Sequence, residues 1–193
     1  MNIKRPSPKQ LVPKDAQLVY KGKVFDFYSW QQKMFDGTSA TFEGLKRADT
    51  TNIIPVTTDG KIILLEQEQP GLAPFVGVVG GRVDNGENPL NAAKRELMEE
   101  TGYTSSDFVL WDAIQLESKI DWACFTFIAR NCQKVGGQKI DAGEKIKLKF
   151  VNFDEFLKVA AQDNFRDIEV TVKLFKITQN PRELEKTKKL LNT

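Results

Sequence analysis

Gly80–Tyr103 reads GGRVDNGENPLNAAKRELMEETGY, and the rest of the chain is best read outward from it. Asn88 is a good helix cap, Pro89 suits a first turn where its missing N–H would have no partner, and Gly102 suits a left-handed closing residue. The spacing predicts a helix from about residue 89 to about residue 101. At about 100° per residue, setting Glu96 at zero puts Glu100 near +40° and Glu99 near −60°, so three carboxylates share one arc. Leu90, Ala93 and Leu97 fall on the neighbouring arc, which would face a core.

Three acids in a last turn repel one another by about 0.2 to 0.5 kcal/mol per i, i+4 pair, and each opposes the negative end of the helix dipole by about 0.3 to 1 kcal/mol. A folded domain can absorb such costs, so a solvated acidic face is one reading. A divalent cation reverses the sign of both terms, because carboxylates meeting at one point make a hard oxygen site for Mg²⁺ or Mn²⁺. Gly80 and Gly81, just upstream, permit close backbone approach and can offer a carbonyl to the same ion.

With 193 residues the chain suits one domain, or one with a small appendage. Its net charge of +2 gives no long-range pull toward nucleic acid or an anionic membrane. No apolar run is long enough to span a bilayer, and the basic start is not followed by a signal-peptide core, so a cytoplasmic location is expected. The chain has no histidine, which excludes Ser-His-Asp and Cys-His machinery and histidine-ligated zinc or iron. Cys124 and Cys132 have no metal-ligand spacing and read as buried thiols.

Residues 1–16 carry three prolines among lysines and read as an extended arm with little packing. Strand-like runs follow at residues 18–30 and 38–48, parted by Asp36-Gly37, then a hairpin closed at Asp59-Gly60. Beyond Gly102 come two further strands, a lysine- and glycine-rich loop from Gln133 to Lys145, the strand IKLKFVNF, and two or three helices. Strands on both sides of a central helix, with helices at the end, predict a mixed sheet covered on both faces.

Gly81, Glu87, Arg95-Glu96-Leu97, Glu99-Glu100 and Gly102 stand at the intervals of a complete Nudix box. The chain thus resembles the Nudix hydrolases. That resemblance implies an α/β fold, an α/β/α sandwich with a mixed central sheet and a small N-terminal antiparallel β subdomain. It implies Mg²⁺-dependent cleavage of a nucleoside diphosphate linked to another moiety, with Mn²⁺ able to substitute. By the same resemblance Glu96, Glu99, Glu100 and the Gly80 carbonyl ligate the metal, Glu87 supports the site, and Arg95 holds the glutamates.

VYKGKVFDF, LKRADTTNIIPVT and DGKIILLEQEQ extend the likeness to ADP-ribose and other nucleoside-diphosphate-sugar pyrophosphatases. This implies residues 1–49 as arm and β subdomain, residues 50–193 as catalytic domain, and a homodimer formed through the first strands. It also implies ADP-ribose as substrate, cleaved to AMP and ribose 5-phosphate. GDP-mannose, NADH or a nucleoside triphosphate are alternative substrates, and a binding module without turnover is the alternative function. Glu144 matches the loop glutamate that serves as base in such enzymes; as an exposed loop acid it would leave that role to Glu99. Arg47, Arg82 and Gly81 are candidates for holding phosphate or base, and Phe75, Trp111 and Trp122 either stack on a base or pack the core. Glu68-Gln69-Pro70 departs from the arginine-bearing stretch usual in those enzymes.

Overall fold

The computed structural model describes residues 3–140 and 142–191. Met1 and Asn2 of the expected arm, Asp141 of the loop, and Asn192 and Thr193 of the expected catalytic domain lie outside the described residues.

An amino-terminal sheet is built from β1 (Gln17–Lys21), β2 (Asp26–Lys33) and β3 (Ser39–Lys46), all antiparallel. Residues 18–30 do not form a single run: the chain reverses at Gly22, whose N–H donates to the Phe25 carbonyl at 3.0 Å, and alternation alone missed that turn. The reversal expected at Asp36-Gly37 is present, with Gly37 at φ 88° and the Asp36 carboxylate accepting from the Thr38 amide at 3.0 Å. A short later strand, β10 (Ile120–Asp121), joins this sheet parallel to β3.

The main sheet is mixed. Its order is β12 (Lys145–Val151), β5 (Ile62–Glu68), β4 (Thr50–Thr57), β11 (Ala123–Lys134) and β8 (Tyr103–Thr104). In addition β6 (Phe75–Gly77) pairs with β5, β7 (Val79–Arg82) with β4, and β9 (Asp107–Gln115) with β11. β4 and β11 run parallel, and β4 can hold Pro55 because its other edge pairs with β7 only up to Ile53 and with β5 at Val56.

Both faces of this sheet are buried, so its strands read as nearly continuous apolar runs. One face packs Ile53, Leu65, Phe125 and Phe127 against Ala93 and Leu97 of α1 (Pro89–Thr101). The other packs Ile54, Val56, Leu64 and Ile128 against α2 (Phe153–Ala160), α3 (Ile168–Thr178) and α4 (Pro181–Leu191), through Phe156, Leu174 and Leu191. The result is the expected α/β/α sandwich. No helix among the described residues is long and apolar enough to cross a membrane. Cys124 and Cys132 are both free and buried.

The arm packs more closely than its composition predicts. Arg5 donates to both Asp49 oxygens at 2.7 and 2.8 Å and to Asp121 at 2.6 Å, while the Pro6 carbonyl accepts from the Gln115 amide at 3.0 Å. Proline-rich segments lack packing of their own but not the capacity to be tied down by a charged fork.

At the start of α3, the buried Asp167 carboxylate accepts from the Val78 amide at 2.7 Å, directly beneath Gly77, where a Cβ would have no room. Burial pushes its carboxyl up to about 6; the Val78 N–H opposes that rise and the neighbouring Glu169 adds to it. A folded-state value above the ordinary 3.8 means that the stability linked to this group is full below that pH and is lost as pH rises through about 6. Asp167→Asn keeps an acceptor for Val78 without the charge. It should raise the unfolding free energy at pH 7 by about 1 to 3 kcal/mol and flatten its dependence on pH between about 4 and 7. Urea denaturation at both ends of that range measures it.

Candidate active site

α1 is capped as its sequence predicts: Asn88 accepts from the Leu90 amide at 2.9 Å, and Gly102, at φ 73°, donates to the Met98 carbonyl at 2.9 Å. The apolar arc anchors it on the sheet. The acidic arc consequently faces the end of β7, where Gly80 and Gly81 approach the helix. A Cβ on Gly81 would fall on the Glu96 carboxylate, and one on Gly80 on the Thr51 carbonyl, so close approach is what requires glycine here.

Arg95 organises the acids. Its guanidinium reaches Glu87 at 3.3 and 3.1 Å, Glu96 at 2.6 Å, Glu99 at 3.2 Å and the Arg82 carbonyl at 2.9 Å. The Arg95 contact, first in size, holds the Glu87 carboxyl below its ordinary value. Glu100 lies deeper, buried, with the Gly80 amide donating to it at 2.9 Å. Burial pushes its carboxyl up to about 8; the Gly80 N–H opposes the rise, and Glu96 and Glu144 reinforce it. Burial likewise raises Glu96, against the pull of Arg95.

These groups line a cleft of about 480 Å³ that brings together Gly80, Gly81, Arg82, Arg95, Glu96, Glu99, Glu100 and Glu144. Glu144 therefore does face the acids across the cleft, from the loop before β12. Glu87 sits behind Arg95 and does not line it. A larger cleft of about 540 Å³ lies between Phe75, Gln162 and the lysines of β12. It contains none of the box acids, so chemistry and not size assigns the site.

Arg47 stands apart from Glu96, Glu99, Glu100 and Glu144, in a neighbouring cleft with Lys46 and Val24 that Arg82 also borders. Its guanidinium lies over the Trp122 ring at 4.2 Å and the Phe25 ring at 5.5 Å, and burial lowers its pKa. Trp122 also donates to the Thr50 hydroxyl at 3.0 Å. Phe75 is buried beneath Arg166 at 4.3 Å, and Trp111 lies beneath Lys173 at 5.5 Å. The sequence reading missed Lys139 and Ile140, which line the acidic cleft. No motif marks them; the loop's path puts them there.

The donor set fits a hard divalent cation: the Glu96 and Glu100 carboxylates, which desolvation and neighbouring acids hold toward the protonated state, are groups a cation would stabilise as anions. Among the described residues no three acidic side chains converge as around a bound ion; Arg95 pairs with Glu96 at 2.6 Å and with Glu99 at 3.2 Å. Gly81→Ala tests the fit. A methyl group against the Glu96 carboxylate should raise the Mg²⁺ concentration for half-maximal activity by about ten- to a hundredfold, which a metal titration of the rate would show.

The NUDIX domain model matches residues 46–174. ADP-ribose pyrophosphatase of Bacillus subtilis (strain 168) is 28% identical over 144 residues, covering 73% of this chain and 78% of that protein. The methanol dehydrogenase activator of Bacillus methanolicus is 29% identical over 89 residues, 46% of this chain and 48% of that protein. A crystal structure of an ADP compounds hydrolase superposes with a TM-score of 0.70 at 17% identity, covering 93% of this chain and 98% of the other, a likeness of fold. With Glu96, Glu99, Glu100, Arg95, Gly80 and Gly81 gathered at one cleft of an α/β/α sandwich, and a domain match spanning most of the chain, the chain belongs to the NUDIX family, as a hydrolase that resembles ADP-ribose pyrophosphatases.

Proposed function

We propose that the protein hydrolyses the diphosphate bond of a nucleoside diphosphate sugar, with ADP-ribose giving AMP and ribose 5-phosphate, and that Mg²⁺, or Mn²⁺ in its place, is required. The observation that supports this most is the shared cleft of Glu96, Glu99, Glu100, Arg95 and Glu144. A bound divalent cation there would neutralise phosphate oxygens and polarise the scissile P–O bond, with the three box glutamates and the Gly80 carbonyl as its ligands.

Glu144, facing the acids, takes a proton from the attacking water, the new P–O bond forms, and the bridging oxygen leaves with the other phosphorus. Arg95 keeps Glu87, Glu96 and Glu99 in register through its fork. Arg82, exposed and paired with Asp84 at 3.1 Å, borders both clefts, which supports a role in meeting a phosphate between them. Arg47 with Trp122 and Phe25 offers a cation and ring faces for the nucleoside side.

Residues 1–49 form the arm and β subdomain in this reading, and a homodimer forms through the first strands. Its support is the exposed apolar surface of Leu18, Val19, Tyr20, Val24 and Phe35. Sedimentation equilibrium that finds only monomer at micromolar concentration would remove the dimer.

Phosphorus NMR of product mixtures from ADP-ribose, GDP-mannose, NADH and a nucleoside triphosphate tests the substrate. AMP and ribose 5-phosphate as the fastest-formed products are expected. Faster cleavage of another member of the panel would reassign the substrate. Tight ADP-ribose binding with no cleavage at any Mg²⁺ or Mn²⁺ concentration would show a binding module.

A further inference from the structure

The loop joining β11 to β12 is fastened at both ends, and each fastening ends in a glutamine side chain. Near its start, the Val135 and Gly136 amides donate to the Gly102 carbonyl at 2.9 and 3.1 Å, and the Lys139 amide to the Glu99 carbonyl at 2.7 Å. The Gln138 side-chain amide donates to the Glu100 carbonyl at 2.7 Å and to the Ile146 carbonyl at 3.3 Å. Carbonyls in the last turn of a helix have no partner within it, so this loop supplies what the end of α1 lacks. The same contacts tie the loop to the residues that carry Glu99 and Glu100. Gln138 thereby bridges α1 to β12, one residue past Lys145, and sets the span from which Glu144 projects.

At the other end, Gln69, just after β5, donates its side-chain amide to Glu144 Oε1 at 3.2 Å. One carboxylate oxygen is held, and among the described residues no hydrogen bond engages the other. We propose that Gln69 and Gln138 are positioning residues for Glu144: Gln138 fixes the loop on the acid-bearing end of α1, and Gln69 fixes the rotation of the carboxylate. This rests on the reading of Glu144 as the base.

The test uses the full chain with Gln69→Ala, Gln138→Ala and Gln138→Lys, each alone and combined with Glu144→Gln. Misplacing a reacting group by about 1 Å costs up to about a hundredfold. Each alanine variant should therefore lower kcat by about ten- to a hundredfold while KM and the Mg²⁺ midpoint stay within about twofold. In the Glu144→Gln background neither alanine should cost anything further, because the group being positioned is gone. Gln138→Lys should recover most of the rate, since an ammonium can donate to both carbonyls.

Single-variant rates within about twofold of wild type, or the same loss with and without Glu144, overturn the proposal. Wild-type protein that cleaves no diphosphate would sink the hydrolase reading by itself. Hydrogen exchange at the Lys139 amide then decides the clamp: exchange at least about tenfold faster in Gln138→Ala supports it, and unchanged exchange overturns it.

Discussion

Replacing Glu144 by Gln should lower kcat by about two to four orders of magnitude while substrate and Mg²⁺ binding change little. The amide keeps the size of the carboxylate and an oxygen for Gln69, which now donates at 3.2 Å, but it cannot take a proton from water. Glu144 lines the cleft with Glu96, Glu99 and Glu100; Arg95 holds Glu96 and Glu99 and the Gly80 amide engages Glu100, whereas Glu144 is bound by Gln69. Single-turnover rates with bound substrate separate this loss from any change in affinity. A rate within about threefold of wild type would transfer the base to Glu99, whose side chain is 42% exposed at the cleft despite its bond to Arg95.

Chelating divalent cations should abolish turnover, and Glu100→Gln should do nearly the same, lowering kcat/KM by about three orders of magnitude or more. The second variant carries an opposite effect on stability. In the metal-free chain Glu100 is buried and its carboxyl is pushed up to about 8. Because the folded value lies above the ordinary 4.5, the associated stability is full below that pH and is lost as pH rises through about 8. Glu100→Gln removes that penalty and leaves an oxygen for the Gly80 amide, so without metal it should be more stable than wild type at pH 7 by about 3 kcal/mol. Saturating Mg²⁺ should reverse the order, since it stabilises only the chain that binds it. Thermal denaturation of both proteins, with chelator and with Mg²⁺, gives the four numbers required. Equal responses of both proteins to Mg²⁺ would remove Glu100 from the ligand set.

Both expectations begin from a helix that was legible residue by residue. Asn88, Pro89 and Gly102 mark its ends through contacts made within a few residues, and the 3.6-residue period puts Leu97 in the core and Glu96, Glu99 and Glu100 on one arc. The hairpin at Asp59-Gly60 was legible for the same reason, with Gly60 at φ 77°. The turn at Gly22 was not, because alternation is continuous on both sides of it. The arm was not either: Arg5 meets Asp49 and Asp121, which are 44 and 116 residues away along the chain.

The sequence by itself determined the acid-bearing helix, its caps, the glycines that let β7 approach it, and the membership in a family that these intervals imply. The helix, its caps and the glycines follow from backbone geometry and side-chain volume over short distances, and the membership from the resemblance that the intervals carry. Only the tertiary structure decided that Glu144 faces those acids, that Arg47 stands in a separate cleft against Trp122, and that Gln69 and Gln138 hold the intervening loop. The placement of Glu144 and its loop depends on β12 pairing with β5, Lys145 opposite Glu68, and on the loop finding the unpaired carbonyls of α1, while that of Arg47 by Trp122 depends on β10 pairing with β3, Asp121 opposite Lys46. Pairings between distant segments are selected by the burial of the whole sheet, which no local pattern encodes.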